Sequence, residues 1–339
     1  MKTIDGKSEI GSRETIVALG VFDGVHLGHQ ALFREAARVR AETGLPLLAL
    51  TFHPHPRTMT GHPDGYGRLL TPSAEKAALI EDCGADYLVT LPFTREMAST
   101  PARDFAAKYL ARELGARHVV CGFSFTFGHR GAGKPQDLVE WGKELDFGVR
   151  VVPPFVAGDD AVSSTRIRAA LDGGDVAEAA LCLGRPYCVS GKVATGDGRG
   201  HRIGIPTSNL SVSEDKVLPG NGVYAAQVRV VVSGGKSSST PGVAIRQFSA
   251  VVNVGTRPTF DGSGVRVEAH IPGFAGRLYG RGIQVFFVER LRDERRFPDA
   301  AALKTQVEQD IERVLAASRK ARSFTLPRAY DRMLALELP

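Results

Sequence analysis

Thr15-Ile-Val-Ala-Leu-Gly-Val-Phe-Asp-Gly-Val-His-Leu-Gly-His-Gln30 decides the reading of the first half of the chain. The run up to Phe22 is apolar and β-type, as a buried strand requires. A helical run follows, from Gln30 to Arg40. Between them lies a turn carrying His26 and His29 on either side of Gly28. A strand, a tight turn and a helix N-terminus form an anion site, because unpaired N–H groups and the helix dipole both favour negative charge. Gly24 and Gly28 allow close backbone approach to a phosphate. The two imidazoles can donate hydrogen bonds to charge developing on a transferring group. A lone histidine at a helix start is most often just a surface residue. The Asp-Gly-x-His-x-Gly-His string in this context points instead to nucleotide chemistry.

Outward from this junction the alternation continues. Leu45–Phe52, Asp86–Leu91, His118–Gly122 and Val149–Pro153 read as strands. Helices are expected at Thr71–Asp82, with Thr71 as N-cap and Pro72 at the first position, at Pro101–Leu114, ended by Gly115, and at about Gln136–Leu145. Strands separated by helices argue for a doubly wound parallel sheet, with ligands at the carboxyl ends of its strands. Those ends carry His26 and His29, His53-Pro-His-Pro-Arg57 and Gly122-Phe-Ser-Phe-Thr-Phe-Gly128. The prolines should hold the His53–Arg57 segment extended, as a substrate loop through His53 and His55 or, as an alternative, a structural loop. No carboxylate or cysteine stands near it to make a metal site.

The pattern changes near Gly184-Arg-Pro186. Beyond it β-type runs dominate, separated by Gly- and Pro-rich turns, which is the rhythm of an antiparallel sheet or small barrel. A helix from Asp299 to Leu315 carries an apolar stripe at Leu303, Val307, Ile311 and Leu315, expected to cover that barrel. The domains are therefore expected at 13–183 and 184–325, with terminal extensions 1–12 and 326–339.

With 339 residues and a net charge of +6, the composition is that of a globular protein. The modest positive charge suits phosphate-bearing small molecules; no nucleic acid or membrane partner is expected. No apolar run approaches the roughly 20 residues of a membrane span, and no signal-peptide core opens the chain. Four scattered cysteines, Cys83, Cys121, Cys182 and Cys188, read as buried free thiols of a cytoplasmic protein. Oligomeric state has no signature here.

Other segments carry chemistry. In Ser163-Ser-Thr-Arg-Ile-Arg168, hydroxyls precede a helix with two arginines on its first turns. Such residues cap helices everywhere, but here they also suit a triphosphate cradle. Gly128-His-Arg-Gly-Ala-Gly-Lys-Pro135 mimics a P-loop, yet Pro135 stands where a Ser or Thr should hold magnesium. The Gly191–Leu210 segment is dense in glycine, as a hairpin or a nucleotide loop would be. In an extended segment Thr207 and Asn209 share a side, where their oxygens can hold magnesium. Glu268 lies opposite Val265, Val267 and Ala269 on a strand.

The chain closely resembles the prokaryotic bifunctional riboflavin kinase/FAD synthetases over nearly its whole length. In the first half the match rests on Gly20–His29, Thr51-Phe-His-Pro-His-Pro56, Arg68-Leu-Leu-Thr-Pro72 and Ser163–Arg168. In the second it rests on Gly184-Arg-Pro-Tyr187, Gly204–Leu210, Gly222-Val-Tyr-Ala225, Asn253–Phe260 and Val267-Glu-Ala-His270. The resemblance implies a nucleotidyltransferase (FMN adenylyltransferase) domain and a riboflavin kinase barrel. ATP, riboflavin, FMN and FAD would be the partners, and Mg2+ the cofactor. It implies catalytic His26, His29 and Glu268. It implies an adenylyltransferase ATP site of Gly20, Phe22, Asp23, Gly24, His26, His29, Ser164, Thr165, Arg166 and Arg168. Ser124 stands where the family usually has Asp or Asn, beside the FMN loop of His53 and His55. The kinase ATP site would use Gly191, Lys192, Gly200, Gly204, Thr207 and Asn209. Two rivals remain. One is a class I aminoacyl-tRNA synthetase-like nucleotidyltransferase, which would need a Lys-Met-Ser-Lys-Ser loop that this sequence lacks. The other has only one catalytic domain, the second being a flavin- or RNA-binding module.

Overall fold

The computed structural model describes residues 1–4, 13–59, 67–195, 204–233, 243–257, 264–274, 276–321 and 326–336. The chain divides into two compact units, Met1–Ser164 and Thr165–Pro339.

The first unit is a six-stranded parallel sheet in the order β1-β4-β3-β2-β5-β6. Its strands are β1 (Lys2–Ile4), β2 (Thr15–Leu19), β3 (Leu47–His53), β4 (Tyr87–Pro92), β5 (Ala116–Gly122) and β6 (Gly148–Val152). The longer helices are α1 (Leu27–Thr43), α2 (Ser73–Asp82), α3 (Ala102–Phe105, widened into π-helical turns Ala106–Glu113) and α4 (Pro135–Glu144). β2 is buried along its whole length, as expected of a strand covered on both faces. α1 buries Leu32, Phe33, Ala36 and Val39 on one face. It stops at Gly44, whose φ of 72° supplies the left-handed cap. The chain runs from β2 to β3 and β4 on one side, then returns to β5 and β6 on the other. The order therefore reverses at β2, where a doubly wound sheet opens a crevice beyond its strand ends. A short antiparallel pair, β7 (Val156–Ala157) and β8 (Asp160–Ala161), follows β6.

The second unit begins within α5 (Ser164–Asp172), followed by α6 (Val176–Leu183). Its core is a closed six-stranded barrel in the order β10-β13-β12-β11-β14-β9. The strands are β9 (Tyr187–Ala194), β10 (Ser208–Val212), β11 (Gly222–Ser233), β12 (Val243–Arg257), β13 (Gly264–His270) and β14 (Gly282–Arg292). Closure leaves no open sheet edge. Alternate residues Val252, Val254, Val267 and Ala269 are buried. Their neighbours Asn253 and Glu268 lie on the outer face. α7 (Ala300–Ala321) packs on β11, β12 and β14, and α8 (Arg328–Leu336) on β11 and β14.

Several sequence expectations need correction. Pro72, not Thr71, precedes α2, and the helix has no side-chain cap. The Thr71 hydroxyl instead accepts from the Gly24 N–H at 2.9 Å. The His53–Arg57 segment is not extended throughout: the His53–Pro54 bond is cis and Pro56 opens a helical turn, Pro56–Met59. On α7 the buried row runs through Asp310 and Val314, while Leu315 is 56% exposed. Asp310 draws the helix round, because its Oδ2 accepts from Arg292 Nε at 3.0 Å and from Nη2 at 2.8 Å.

Both expected extensions hold ordered elements. β1 pairs with β4, and Tyr330 of α8 is buried, its hydroxyl accepting from Arg185 Nε at 3.1 Å. The helices before residue 184 group with the barrel. Glycines allow their close approach: a Cβ on Gly174 would lie 2.6 Å from Arg290 Nε, and one on Gly220 would lie 2.2 Å from the Asp172 carbonyl.

The Gly128–Pro135 stretch is structural. A Cβ on Gly128 would meet Ala102 at 2.4 Å, and one on Gly133 would meet Phe127 at 2.7 Å. These glycines make room for packing against α3, and Asp137 accepts from the Lys134 N–H to start α4.

Candidate active sites

The first site lies at the carboxyl end of β2. The loop leading to α1 takes backbone conformations that L residues avoid: Phe22 has φ 54°, Gly24 89° and Val25 40°. Such a loop persists only if its surroundings hold it. Asp23 is buried, and its Oδ1 accepts from the N–H groups of Leu70 and Thr71 at 2.9 and 3.2 Å. The Asp23 carbonyl accepts from the Ser164 hydroxyl at 2.8 Å. The Val21 carbonyl accepts from Thr51 Oγ1 at 2.9 Å and from Lys76 Nζ at 3.3 Å. Lys76 is itself buried, which lowers its pKa, while Asp23 pulls it back up. Gly20 leaves space for the Phe22 ring, since a Cβ there would meet it at 2.7 Å.

The loop delivers the histidines. His26 is the N-cap of α1, and its Nδ1 accepts from the His29 N–H at 3.3 Å. With Nδ1 an acceptor, the neutral ring carries its proton on Nε2. The rings of His26 and His29 stack at 3.6 Å, 17° apart, and Phe22 meets His29 edge-on at 5.3 Å. The pair is thus one prepositioned unit at a helix N-terminus. The first unit also holds His53 at the end of β3, His55 just beyond it and Ser124 after β5, the strands on either side of β2. His53 and Ser124 are exposed; His55 is buried, its Nδ1 accepting from the Arg57 N–H at 3.2 Å.

Thr165, Arg166 and Arg168 fall in the second unit. Arg166 is already engaged there, forming an ion pair with Glu178 of α6 at 2.6 Å.

The second site is a row across the outer face of the barrel. Asn209 of β10 is directly opposite Glu268 of β13, and Glu268 is directly opposite Asn253 of β12. Arg266, on the same face, donates to Glu268 Oε1 at 2.9 Å. His270 Nδ1 contacts the Pro206 carbonyl at 2.8 Å, tying β13 to the segment that carries Thr207. Lys192 of β9 is exposed on the strand that pairs with β10. The Oδ1 atoms of Asn209 and Asn253 are buried and have no hydrogen-bond partner among the described residues. Such acceptors cost roughly 1–3 kcal/mol each, so they mark a place for a donor or a cation.

Gly191 is hemmed in by strand pairing. A Cβ there would lie 2.5 Å from the Ser211 carbonyl, so this glycine serves strand packing. Gly204 sits in an open turn at φ 77°, and Gly200 lies outside the described residues. Asn253, Arg266 and His270 have no functional signature in the sequence. Only strand register shows that they share Glu268's face.

A doubly wound sheet with paired histidines at its switch point, joined in one chain to a closed barrel with a carboxylate–amide row, defines a nucleotidyltransferase-type unit linked to a kinase-type barrel. The family profile described as FAD synthetase matches residues 9–166, and that described as riboflavin kinase matches residues 183–318. A Bacillus subtilis protein named bifunctional riboflavin kinase/FMN adenylyltransferase is 35% identical over 88% of this chain and 90% of its own. The Escherichia coli K12 protein of that name is 33% identical, covering 91% and 95%. A solved structure described as a macrolide-efflux protein from Streptococcus pneumoniae superposes with a TM-score of 0.78 at 32% identity, covering 96% of this chain and 99% of that one. The chain belongs to the bifunctional riboflavin kinase/FMN adenylyltransferase family, and it carries both enzymatic domains. Among the described residues, no helix is long and apolar enough to cross a membrane.

Proposed function

We propose that this chain makes FMN and then FAD with the residues described above, in functional domains bounded at 13–183 and 184–325, a division that follows the two activities and not the two compact units. In the kinase step a Glu268 oxygen accepts the proton of the riboflavin 5′-hydroxyl. The hydroxyl oxygen attacks the γ-phosphorus of ATP, and ADP leaves. In the adenylyltransferase step an FMN phosphate oxygen attacks the α-phosphorus of a second ATP, and pyrophosphate leaves. His26, donating through Nε2, and His29 stabilise the charge that develops there. Ser164, Thr165, Arg166 and Arg168 hold ATP phosphates, with Glu178 as the resting counter-ion of Arg166. Both steps depend mainly on positioning and charge neutralisation.

A divalent cation, which we take to be magnesium, fits beside Thr207 and Asn209, whose oxygens suit a hard ion. Thr207 and Asn209 would hold such an ion, and when bound it would neutralise phosphate charge. The orphaned Asn209 Oδ1 supports that fit. We place the protein in the cytoplasm, where its four free thiols stay reduced.

The observation that carries the reading is the His26–His29 stack at the N-terminus of α1 together with the Asn209–Glu268–Asn253 row on the barrel. The test is reciprocal. Glu268→Gln should lower riboflavin phosphorylation by roughly 100-fold or more and leave FMN adenylylation intact. Replacing His26 and His29 by Ala should do the converse, also on the order of 100-fold. Chromatography of FMN and FAD reads both. If either variant keeps its assigned activity, that assignment is wrong.

A further inference from the structure

We infer that Asn253 is a substrate-specificity residue of the kinase site. It accepts a hydrogen bond from a hydroxyl of the riboflavin side chain next to the one phosphorylated, and Glu294 is the positioning residue that orients its amide. The inference rests on the assignment of Glu268 above.

Asn253 and Asn209 flank Glu268 on adjacent strands, which lie about 4.8 Å apart. Thr207 and Asn209 stand on the β10 side, where phosphate and cation belong. The reacting hydroxyl at Glu268 therefore has the phosphoryl group on that side and its own carbon chain on the β12 side. Asn253 is the polar group at the next register position in that direction. A polyol chain brings a further hydroxyl there, and a hydroxyl needs an acceptor when it leaves water.

The amide is held for that purpose. Asn253 Nδ2 donates to Glu294 Oε1 at 3.1 Å, so its oxygen faces away from Glu294. That oxygen is buried and has no partner among the described residues. Glu294 reaches Asn253 because position 255 is glycine: a Cβ on Gly255 would lie 2.4 Å from Glu294 Oε1. Gly255 is also directly opposite Arg266, the residue that pairs with Glu268. The Arg266–Glu268 pair is partly exposed, at 33% and 26%, so it can reorient as the polyol enters. A site built to bond a substrate hydroxyl discriminates strongly against an analogue lacking it, because the acceptor is then left unpaired.

The experiment uses the full-length protein. Riboflavin binding is followed by quenching of its own fluorescence, without ATP or metal, and kinase kinetics are measured in parallel. Asn253→Ala should weaken riboflavin binding and raise its KM about tenfold, the scale of one lost hydrogen bond. The KM for ATP should stay within about twofold, and FMN adenylylation should not change. Glu294→Ala should reproduce the effect. Glu294→Gln, which still offers an oxygen to Nδ2, should restore most of the affinity. A side-chain deoxy analogue of riboflavin should bind the wild type about tenfold less tightly than riboflavin and bind Asn253→Ala almost equally.

Wild-type riboflavin affinity in Asn253→Ala overturns the inference. So does a rise in the KM for ATP instead, which would move Asn253 to the nucleotide side. Should Asn253→Ala melt early, the Glu294 pair and the analogue measured on wild type decide the matter. Loss of rate in Glu268→Gln together with normal flavin binding in Asn253→Ala would refute this inference alone. Full rate in Glu268→Gln would refute the Glu268 assignment itself.

Discussion

Gly28→Ala offers a sharp test of the paired histidines, because it perturbs their geometry without removing either ring. Gly28 lies in the first turn of α1, and its backbone is one that alanine can adopt. An added Cβ would lie 3.1 Å from His26 Cε1 and 3.2 Å from its Nδ1. Relaxed contacts between carbon atoms are about 3.5–4.0 Å, so the imidazole must move by about half an ångström. The ring has little freedom to do so, being stacked on His29 at 3.6 Å and bonded to the His29 N–H at 3.3 Å. Misplacement by about 1 Å can cost on the order of 100-fold in rate, so half that displacement should cost about tenfold. Stability should move little. Ala gains about 1 kcal/mol over Gly within a helix, and local overpacking takes back about the same or somewhat more. The assay is a single preparation tested for FAD from FMN, FMN from riboflavin, and thermal melting. Adenylylation should fall about tenfold, with kinase rate and Tm nearly unchanged. Wild-type FAD formation would show that the ring geometry does not limit the reaction. Loss of both activities would show that Gly28 matters for folding instead.

Three further outcomes are expected. Lys76→Met should flatten part of the pH dependence of stability: burial holds Lys76 below its usual 10.5, so the unfolded chain binds more protons between those values. Wild-type stability should therefore rise relative to the mutant as pH climbs toward 10.5, as read by denaturant melts at pH 7.5 and about pH 9.5; no change in the difference would place the ammonium in solvent. Native protein treated with a thiol reagent should react first at half-buried Cys83 and not at buried Cys121, Cys182 or Cys188, located by peptide mapping. Burial pushes the Cys121 thiol up to about 12, so its contribution to stability is complete below pH 9 and is lost as pH rises toward 12. Gly255→Ala should displace the exposed Glu294 carboxylate at little cost in Tm, yet weaken riboflavin binding as Glu294→Ala does; unchanged binding would disconnect Glu294 from the flavin.

The sequence alone determined what is local. Apolar runs broken by helical periods imposed the parallel sheet, the rhythm after Gly184 imposed the barrel, and His26-Leu-Gly-His29 marked the junction because strand, turn and helix cap are adjacent in the chain. Tertiary structure decided what depends on partners distant in sequence. Thr71 is a plausible helix cap by its neighbours, but Gly24, 47 residues away, takes its hydroxyl. Leu315 completes an apolar stripe on paper, but the Arg292–Asp310 pair turns the helix away from it. Gly191 stands in a glycine-dense segment by sequence, but only strand pairing sets the Ser211 carbonyl against it. The kinase row had no sequence signature as a row, since Asn209, Asn253 and Glu268 lie on three strands and meet only through barrel register. Local propensity is written in neighbouring residues, whereas register, close approach and orphaned acceptors exist only once the strands have closed.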